Sequence, residues 1–395
     1  MLDITAGNLN GIQAASIAVE YEIAMNGSSP NQDVPVIYVV DDDLSVRSAM
    51  DSLIRSLGFR AQTFASARDF LECRPAETGC LILDVHLPGL NGLDLQRELA
   101  REDIRLPVIF VTGWADVPTS VRAMKAGAVE FLAKPLQEED LIRAIREAME
   151  RDRAAKSEQN ELKTAARIQQ GLMALKIPQP SYATVCGRNF PCAEVGGDFF
   201  SAVTVDEDLV VAIADVSGKG IAAAMMASLL QGMIHEAVSS KVPLRDIARG
   251  VNEFFCVRDL CAKYATFVII ALRPNGDLEY INCGHIQPLI ASPAGVVERL
   301  PESNIPVGLI PSAKFFSSFV RLRPGERILL VTDGVTEAEG SEGEFFGDER
   351  LEGSAARGMS PDELIAEVQF FCSGRPMSDD CTVVGLFFAG SGSRD

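Results

Sequence analysis

Residues 212–220 read AIADVSGKG: an apolar run stops at Asp215, and two glycines flank a lysine just beyond it. A strand that ends in a carboxylate and opens into a glycine turn leaves that carboxylate at a sheet edge with room around it. The same punctuation recurs through the C-terminal half, at Asp198 in EVGGDFF, Asp333 in LLVTDGVTEA and Asp379/Asp380 in SDDCTVVG. One Asp-Gly pair alone is more simply a turn. Four such positions together point to a β-scaffold that presents carboxylates to hard cations. Mg²⁺ and Mn²⁺ take oxygen ligands in near-octahedral geometry and keep several waters, so a site of carboxylates and little else suits them rather than zinc. Two such ions about 3.5–4 Å apart can deprotonate a shared water at neutral pH and hold phosphoryl oxygens for in-line displacement, with no protein nucleophile.

The neighbouring words recur in order from about Leu162 to Phe388: ARIQQGLM, EVGGDFF, ADVSGKG, INCGHIQPLI, PVGLI, LLVTDGVTEA, FFGDERL and SDDCTVV. On these the segment resembles the metal-dependent PPM (protein phosphatase 2C-like) serine/threonine phosphatases, in the bacterial branch that regulates sigma factors. The resemblance implies an α+β domain of two antiparallel sheets flanked by helices, with two Mg²⁺ or Mn²⁺ ions at one edge. It also implies roles. Asp215 would bridge the ions, the Val216 carbonyl would ligate one, Asp198 would serve one ion, and Asp333 and Asp379 the other. Asp379 rather than Asp380 is the expected ligand, because the family pattern places the ligand first in Asp-(Asp/Asn)-x-Thr. One departure is Ser201, where many relatives carry a further acid; the core pair of ions is expected to survive it.

The N-terminal half has a different rhythm. VPVIYVVDDD ends in Asp41, Asp42 and Asp43; CLILDVHLPGLNG carries Asp84 at the end of its run; PVIFVTG stops at Thr112, and VEFLAKP at Lys134 before a proline. Amphipathic stretches such as LSVRSAMDSLIRSLG and LDLQRELARE lie between them. Strands alternating with helices predict an α/β doubly wound parallel sheet, with its ligand site at the carboxyl ends of the strands, where all these polar residues fall. A carboxylate such as Asp84 can take up a phosphoryl group, Asp41 and Asp42 can hold Mg²⁺ beside it, and a lysine can neutralise the incoming charge.

This block, roughly Val34 to Glu150, resembles the response-regulator receiver domain, a five-stranded parallel fold, in particular receivers of transcription regulators in nitrogen-fixing bacteria. The resemblance makes Asp84 the phosphoacceptor and adds Asp42 and the carbonyl of His86 as Mg²⁺ ligands. Thr112 and Lys134 would contact the phosphoryl group, and Phe131 would be an aromatic rotamer switch.

Composition agrees with a multidomain chain. Its 395 residues suit two or three domains with separate cores. A formal charge of −19 and a pI near 4.7 argue against nucleic acid or an anionic membrane as the main partner. No basic recognition helix follows the receiver block. The nine cysteines are scattered without a C-x-x-C pair, and no secretory leader is recognisable, so reduced, mostly buried thiols in a cytoplasmic protein are expected. The longest uncharged apolar stretch, IAAAMMASLLQGMI, reads as too short to span a bilayer and as a buried helix with methionines in the core. The three histidines are too dispersed for a zinc site. His86 is expected to be partly exposed, His235 structural, and His285 a shaper of its strand and loop.

The expected organisation is a flexible segment over 1–33, containing IQAASIAVEYEIAM, then a receiver over 34–150, a helical linker over 151–178 and a phosphatase domain over 179–390. The linker is dense in helix formers, and Ala165, Ile168, Leu172 and Leu175 follow the spacing of a helix seam. That seam fits either packing on the phosphatase domain or a homodimer. The reading as a whole is a two-component response regulator. A sensor histidine kinase would phosphorylate Asp84 and thereby control a phosphatase acting on a phosphorylated anti-sigma-factor antagonist. One alternative is a receiver-controlled binding module that hydrolyses nothing, although gathering like charges makes little sense without a cation. The other, a phosphatase for free nucleotides, lacks a phosphate-cradling P-loop.

Overall fold

The computed structural model describes residues 35–390, apart from 74–77, 103, 114–116, 174–175, 258–262 and 302–303. The expected flexible segment over 1–33 and Leu175 of the seam lie outside the described residues. The chain divides into two compact units, Met1–Asn160 and Glu161–Asp395.

In the first unit β1 (Val36–Val40), β2 (Arg60–Phe64), β3 (Gly79–Asp84), β4 (Val108–Thr112) and β5 (Glu130–Ala133) form one parallel sheet in the order β2-β1-β3-β4-β5. Both faces are covered, which is why the strands read as unbroken apolar runs. Ile37, Val39, Ile82 and Ile109 pack on one side against Val46, Met50 and Ile54 of α1 (Leu44–Ser56). Val36, Tyr38, Val40 and Phe110 pack on the other, with Phe70 of α2 (Ala67–Cys73), Leu95 and Leu99 of α3 (Gly92–Arg101) and Ala123 of α4 (Val117–Lys125). Asp43 accepts from the Ser45 N–H and caps α1, and Asn91 caps α3 through the Asp94 N–H.

The linker is one helix, α5 (Glu138–Met173), of 36 residues. Leu141, Ala144, Ile145, Ala148 and Met149 bury it against the parallel sheet of the first unit. In the second unit Met173 joins a core cluster and the Leu172 carbonyl accepts from Gln231. Along the seam Ile168 and Leu172 are exposed and Ala165 is half-buried.

The second unit is a sandwich. One antiparallel sheet runs β13-β10-β9-β8-β7, from β7 (Phe199–Val205), β8 (Asp208–Val216), β9 (Ala265–Leu272), β10 (Asp277–Cys283) and β13 (Ser318–Arg321). The other runs β12-β11-β14-β15-β6, from β6 (Ala183–Phe190), β11 (Leu289–Ala291), β12 (Val297–Arg299), β14 (Arg327–Val331) and β15 (Cys381–Phe388). Val211, Ile213, Val268 and Ile270 face Val185, Ile328, Val384 and Leu386 between the sheets. Outside, α6 (Ile221–Ser239) and α7 (Leu244–Val257) cover the first sheet; α9 (Gly347–Ala356) and α10 (Pro361–Phe371) cover the second, α8 (Asp333–Thr336) being a single turn after β14.

Two expectations need correction. The helix after SGKG spans 19 residues, long and apolar enough by those measures alone to cross a membrane; here Ala223, Ala227, Leu230 and Ile234 bury one face against the sheet. Its methionines are not all core, since Met225 is 68% exposed while Met226 and Met233 are partly buried. Nor are the thiols mostly buried. Cys80, Cys283, Cys372 and Cys381 are, whereas Cys73 and Cys186 are exposed, and all eight described cysteines are free.

Candidate functional site

Two acidic centres lie at strand ends, one in each unit. In the first, Asp41 follows β1 and Asp84 ends β3, adjacent strands of a parallel sheet, so both carboxylates emerge at the same edge. Potential ligand atoms of Asp41, Asp42 and Asp84 fall within 4.8 Å of one another. Lys134, just after β5, reaches back to pair with Asp41 and Asp84, at 2.7 Å to each. Burial pushes the Asp41 carboxyl up, against the pull of Lys134; burial opposes the charge on Lys134, yet its two carboxylate partners hold it above its ordinary value. Thr112 is fully buried at the end of β4, and the Phe131 ring lies 6.3 Å from that of Phe110. His86 is exposed as expected, but its ring has a role that spacing did not suggest: Nδ1 is 3.2 Å from the Thr112 hydroxyl. The His86 N–H also donates to Asp84 at 2.9 Å.

In the second unit Asp215 sits near the end of β8, Asp198 just before β7, Asp333 after β14 and Asp379 just before β15. The register pairs Phe199 with Ala214, which sets Asp198 beside Asp215. Thr332 hydrogen-bonds the Thr382 backbone, which sets Asp333 beside the Asp379 segment. These acids feel one another. Burial, then the charges of Asp333, Asp379 and Asp380, push Asp215 up to about 7. Burial, then Asp215, raises Asp198 well above the carboxylate range; burial and Asp379 raise Asp333.

The consecutive aspartates divide their labour. Asp380 is buried and accepts from the N–H groups of Cys192 at 2.9 Å and Gly197 at 2.6 Å. Asp379 is half-buried and stands free of such ties apart from the Asp380 N–H. Both lie near the Cys192 thiol, which burial and the Asp380 charge push up to about 11, so it keeps its proton.

Side chains inside the motifs, to which the sequence reading gave no role, fix this geometry. The Thr332 and Thr382 hydroxyls both donate to Oδ2 of the buried Asp198, at 2.6 and 2.8 Å. Gly196 and Gly197 are required by crowding: a Cβ at Gly196 would lie 2.3 Å from Asp380 Oδ2, and one at Gly197 would lie 2.8 Å from the Val216 carbonyl oxygen. Gln169 of α5 is buried, donating to the Gly196 carbonyl at 2.7 Å and accepting from its N–H at 3.1 Å. Gln169→Ala strands both backbone groups, and should cost about 1–3 kcal/mol of stability. Melting curves together with Mn²⁺ titration calorimetry check it, weaker ion binding being the expected companion of the lower Tm.

His285 is buried and neutral, burial holding its pKa down to about 4. Asn282 brackets its backbone N–H and carbonyl, at 2.8 and 3.0 Å, and Nδ1 lies 2.7 Å from the hydroxyl of Thr266, the cross-strand partner of Asp215. Ser201 lies on β7, half-buried.

The raised Asp215 has a pH signature. Between 3.8, its unperturbed value, and about 7, the folded protein keeps a proton that the unfolded chain has lost, so this group's contribution to stability falls as pH rises through that window. With a chelator present, Asp215→Asn should therefore match the wild-type Tm near the bottom of the window and exceed it at the top. A constant difference across the window would show that the carboxylates do not repel.

Comparison with known proteins assigns a family to each unit. Residues 37–146 match the model of the response regulator receiver domain, and residues 205–388 that of stage II sporulation protein E (SpoIIE). Nodulation protein W of Bradyrhizobium diazoefficiens is 50% identical over 125 residues, 31% of this chain and 55% of that protein. Response regulator protein TmoT of Ectopseudomonas mendocina is 49% identical over 120 residues, 30% of this chain and 54% of that one. The chain thus spans about half the length of these curated relatives. The SiaA-PP2C domain of Pseudomonas aeruginosa, 21% identical, superposes with a TM-score of 0.51 over 60% of this chain and 98% of that domain, a likeness of fold. The chain carries a receiver domain followed by a PPM-type phosphatase domain of the SpoIIE kind.

Proposed function

We propose that this protein is a Mg²⁺/Mn²⁺-dependent protein serine/threonine phosphatase under the control of aspartyl phosphorylation, with a phosphorylated anti-sigma-factor antagonist as substrate and a sensor histidine kinase as its phosphodonor. The observation that carries the reading is the gathering of Asp198, Asp215, Asp333 and Asp379 at adjoining strand ends, where burial first and neighbouring acids second raise Asp198, Asp215 and Asp333. Folding gathers these carboxylates at a cost, and divalent cations repay it.

The residues suit such ions. Asp198 through its remaining oxygen, Asp215, the Val216 carbonyl left open by Gly197, Asp333 and Asp379 would hold two of them. When bound, the pair supplies a nucleophile from water at neutral pH and neutralises charge on the phosphoryl group. Asp215, beside Asp198 and within reach of the charges of Asp333 and Asp379, would serve both ions; Thr332 and Thr382 keep Asp198 in one rotamer; Asp380 ties down the turn at Gly197 and Cys192. In the receiver, Asp41, Asp42, Asp84 and the His86 carbonyl would hold Mg²⁺. An Asp84 oxygen would form the new bond to phosphorus as the donor's bond to phosphorus breaks, with Lys134 and Thr112 meeting the phosphoryl oxygens and Phe131 following Thr112. Coupling to the phosphatase through α5 fits the Gln169 clamp on Gly196, and a homodimer through the exposed Ile168 and Leu172 is consistent with it.

Hydrolysis of para-nitrophenyl phosphate with Mn²⁺, and of phosphoserine peptides in preference to free nucleotides, tests the activity. No turnover at any concentration of either cation would favour a binding module instead.

A further inference from the structure

PVGLI belongs to a loop that the phosphatase reading leaves unused. Residues 304–316 form a closed Ω-shaped excursion whose two ends are pinned by one side chain: Asn304 accepts from the Phe316 N–H at 2.7 Å and donates to its carbonyl at 3.0 Å. Midway, the buried Asn252 of α7 accepts from the Gly308 N–H at 2.9 Å and donates to the Ile310 carbonyl at 3.0 Å. Val307 and Phe315 anchor the loop in the core. Ile305, Leu309, Ile310 and Phe316 point outward, from 39% to 61% exposed. A loop held this firmly exposes apolar side chains by construction rather than by looseness, and such a preorganised patch binds without an ordering cost.

The patch lies on the same sheet edge as the acidic centre. Val216 pairs with Ala265, and Ala265 exchanges both backbone hydrogen bonds with Val307, so two strand spacings, about 10 Å, separate Val216 from the loop. A Cβ at Gly308 would lie 3.1 Å from the Lys263 carbonyl oxygen, and the Lys263 ammonium donates to the carbonyl of Ser217, two residues past Asp215. Lys219 lies on the same turn as Ser217, and Lys314 is exposed in the loop itself. In a chain of net charge −19, the charges of the exposed Lys314 in the loop, of Lys263 on the Ser217 carbonyl and of Lys219 on the Ser378 carbonyl at 3.0 Å complement a partner that carries a phosphate next to apolar side chains.

We infer that the 304–316 loop is a docking surface for the phosphoprotein substrate, with Leu309 and Ile310 receiving apolar side chains that flank its phosphoserine or phosphothreonine. The inference rests on the proposed phosphatase activity and deepens it. The probes are para-nitrophenyl phosphate and two phosphoserine peptides that differ only in flanking residues, leucines in one and serines in the other, assayed with Mn²⁺ on the full chain. Wild-type kcat/KM should favour the leucine peptide by about tenfold. Leu309→Ser with Ile310→Ser should abolish that preference and leave aryl phosphate turnover and Tm unchanged. A preference that survives the double variant overturns the inference, as does no preference in the wild type. So does a variant that loses preference and aryl phosphate turnover together, the mark of a structural role. If light scattering shows the double variant turning a dimer into a monomer, the patch is a self-association surface and the inference falls. Absence of aryl phosphate turnover in the wild type would instead strike the phosphatase reading itself.

Discussion

Asp215→Asn should abolish Mn²⁺-dependent hydrolysis of para-nitrophenyl phosphate, lowering kcat by at least about a thousandfold. Asp215 adjoins Asp198 through the β7–β8 register and feels the charges of Asp333, Asp379 and Asp380, and among the described carboxylates none with a resolved shift is raised by so many neighbouring acids. The amide keeps the shape and removes the charge, so the protein should fold. In chelator near neutral pH the variant should melt higher than wild type, because it relieves repulsion that no cation offsets. Addition of Mn²⁺ should then stabilise wild type strongly and the variant weakly, a linkage that depends on the ratio of ion concentration to Kd. Retained turnover, or an equal Mn²⁺-induced rise in Tm for both, would refute the two-ion assignment.

Asp84→Asn should eliminate phosphoryl uptake from acetyl phosphate, read by intact mass or Phos-tag migration. Asp41, the other buried carboxylate at this edge, is tied just as Asp84 is, one oxygen accepting a backbone N–H and the other paired with Lys134, so this variant is what separates the two. If phosphorylation governs the output, beryllofluoride should change the aryl phosphate turnover of wild type severalfold and leave Asp84→Asn unmoved. Persisting uptake in the variant would relocate the acceptor. An unchanged turnover and mass for the beryllofluoride-loaded wild type would sever receiver from phosphatase.

Much of the architecture was legible because it rests on local rules. Apolar runs that stop at an acid, separated by helical periods, specify the parallel sheet, and glycine-punctuated strands specify the sandwich. The acids themselves were legible for the same reason, each lying at the end of its own strand. What escaped were contacts between residues far apart in the chain. Nothing in the spacing of Gln169 distinguishes it from Gln170, yet one clamps Gly196 and the other faces solvent. Thr332 and Thr382 were visible as neighbours of aspartates, but that both serve one oxygen of Asp198 depends on three strand ends meeting. Lys134 was read as a phosphoryl contact; its present partners are Asp41 and Asp84. The buried anchor of the 304–316 loop, Asn252, sits in an amphipathic helix where a polar residue on the apolar face carries no hint of its target.

The saturated oxygen of Asp198 bears on which element could serve here. With Oδ2 committed to two threonine hydroxyls, this carboxylate can offer a cation a single atom and cannot chelate it. Calcium, whose larger shell of six to eight donors favours two-toothed carboxylates, gains less from such a ligand than a six-coordinate ion does. A pair of buried threonines, holding a ligand without being ligands themselves, would thus discriminate among divalent ions without a single side chain that repels one.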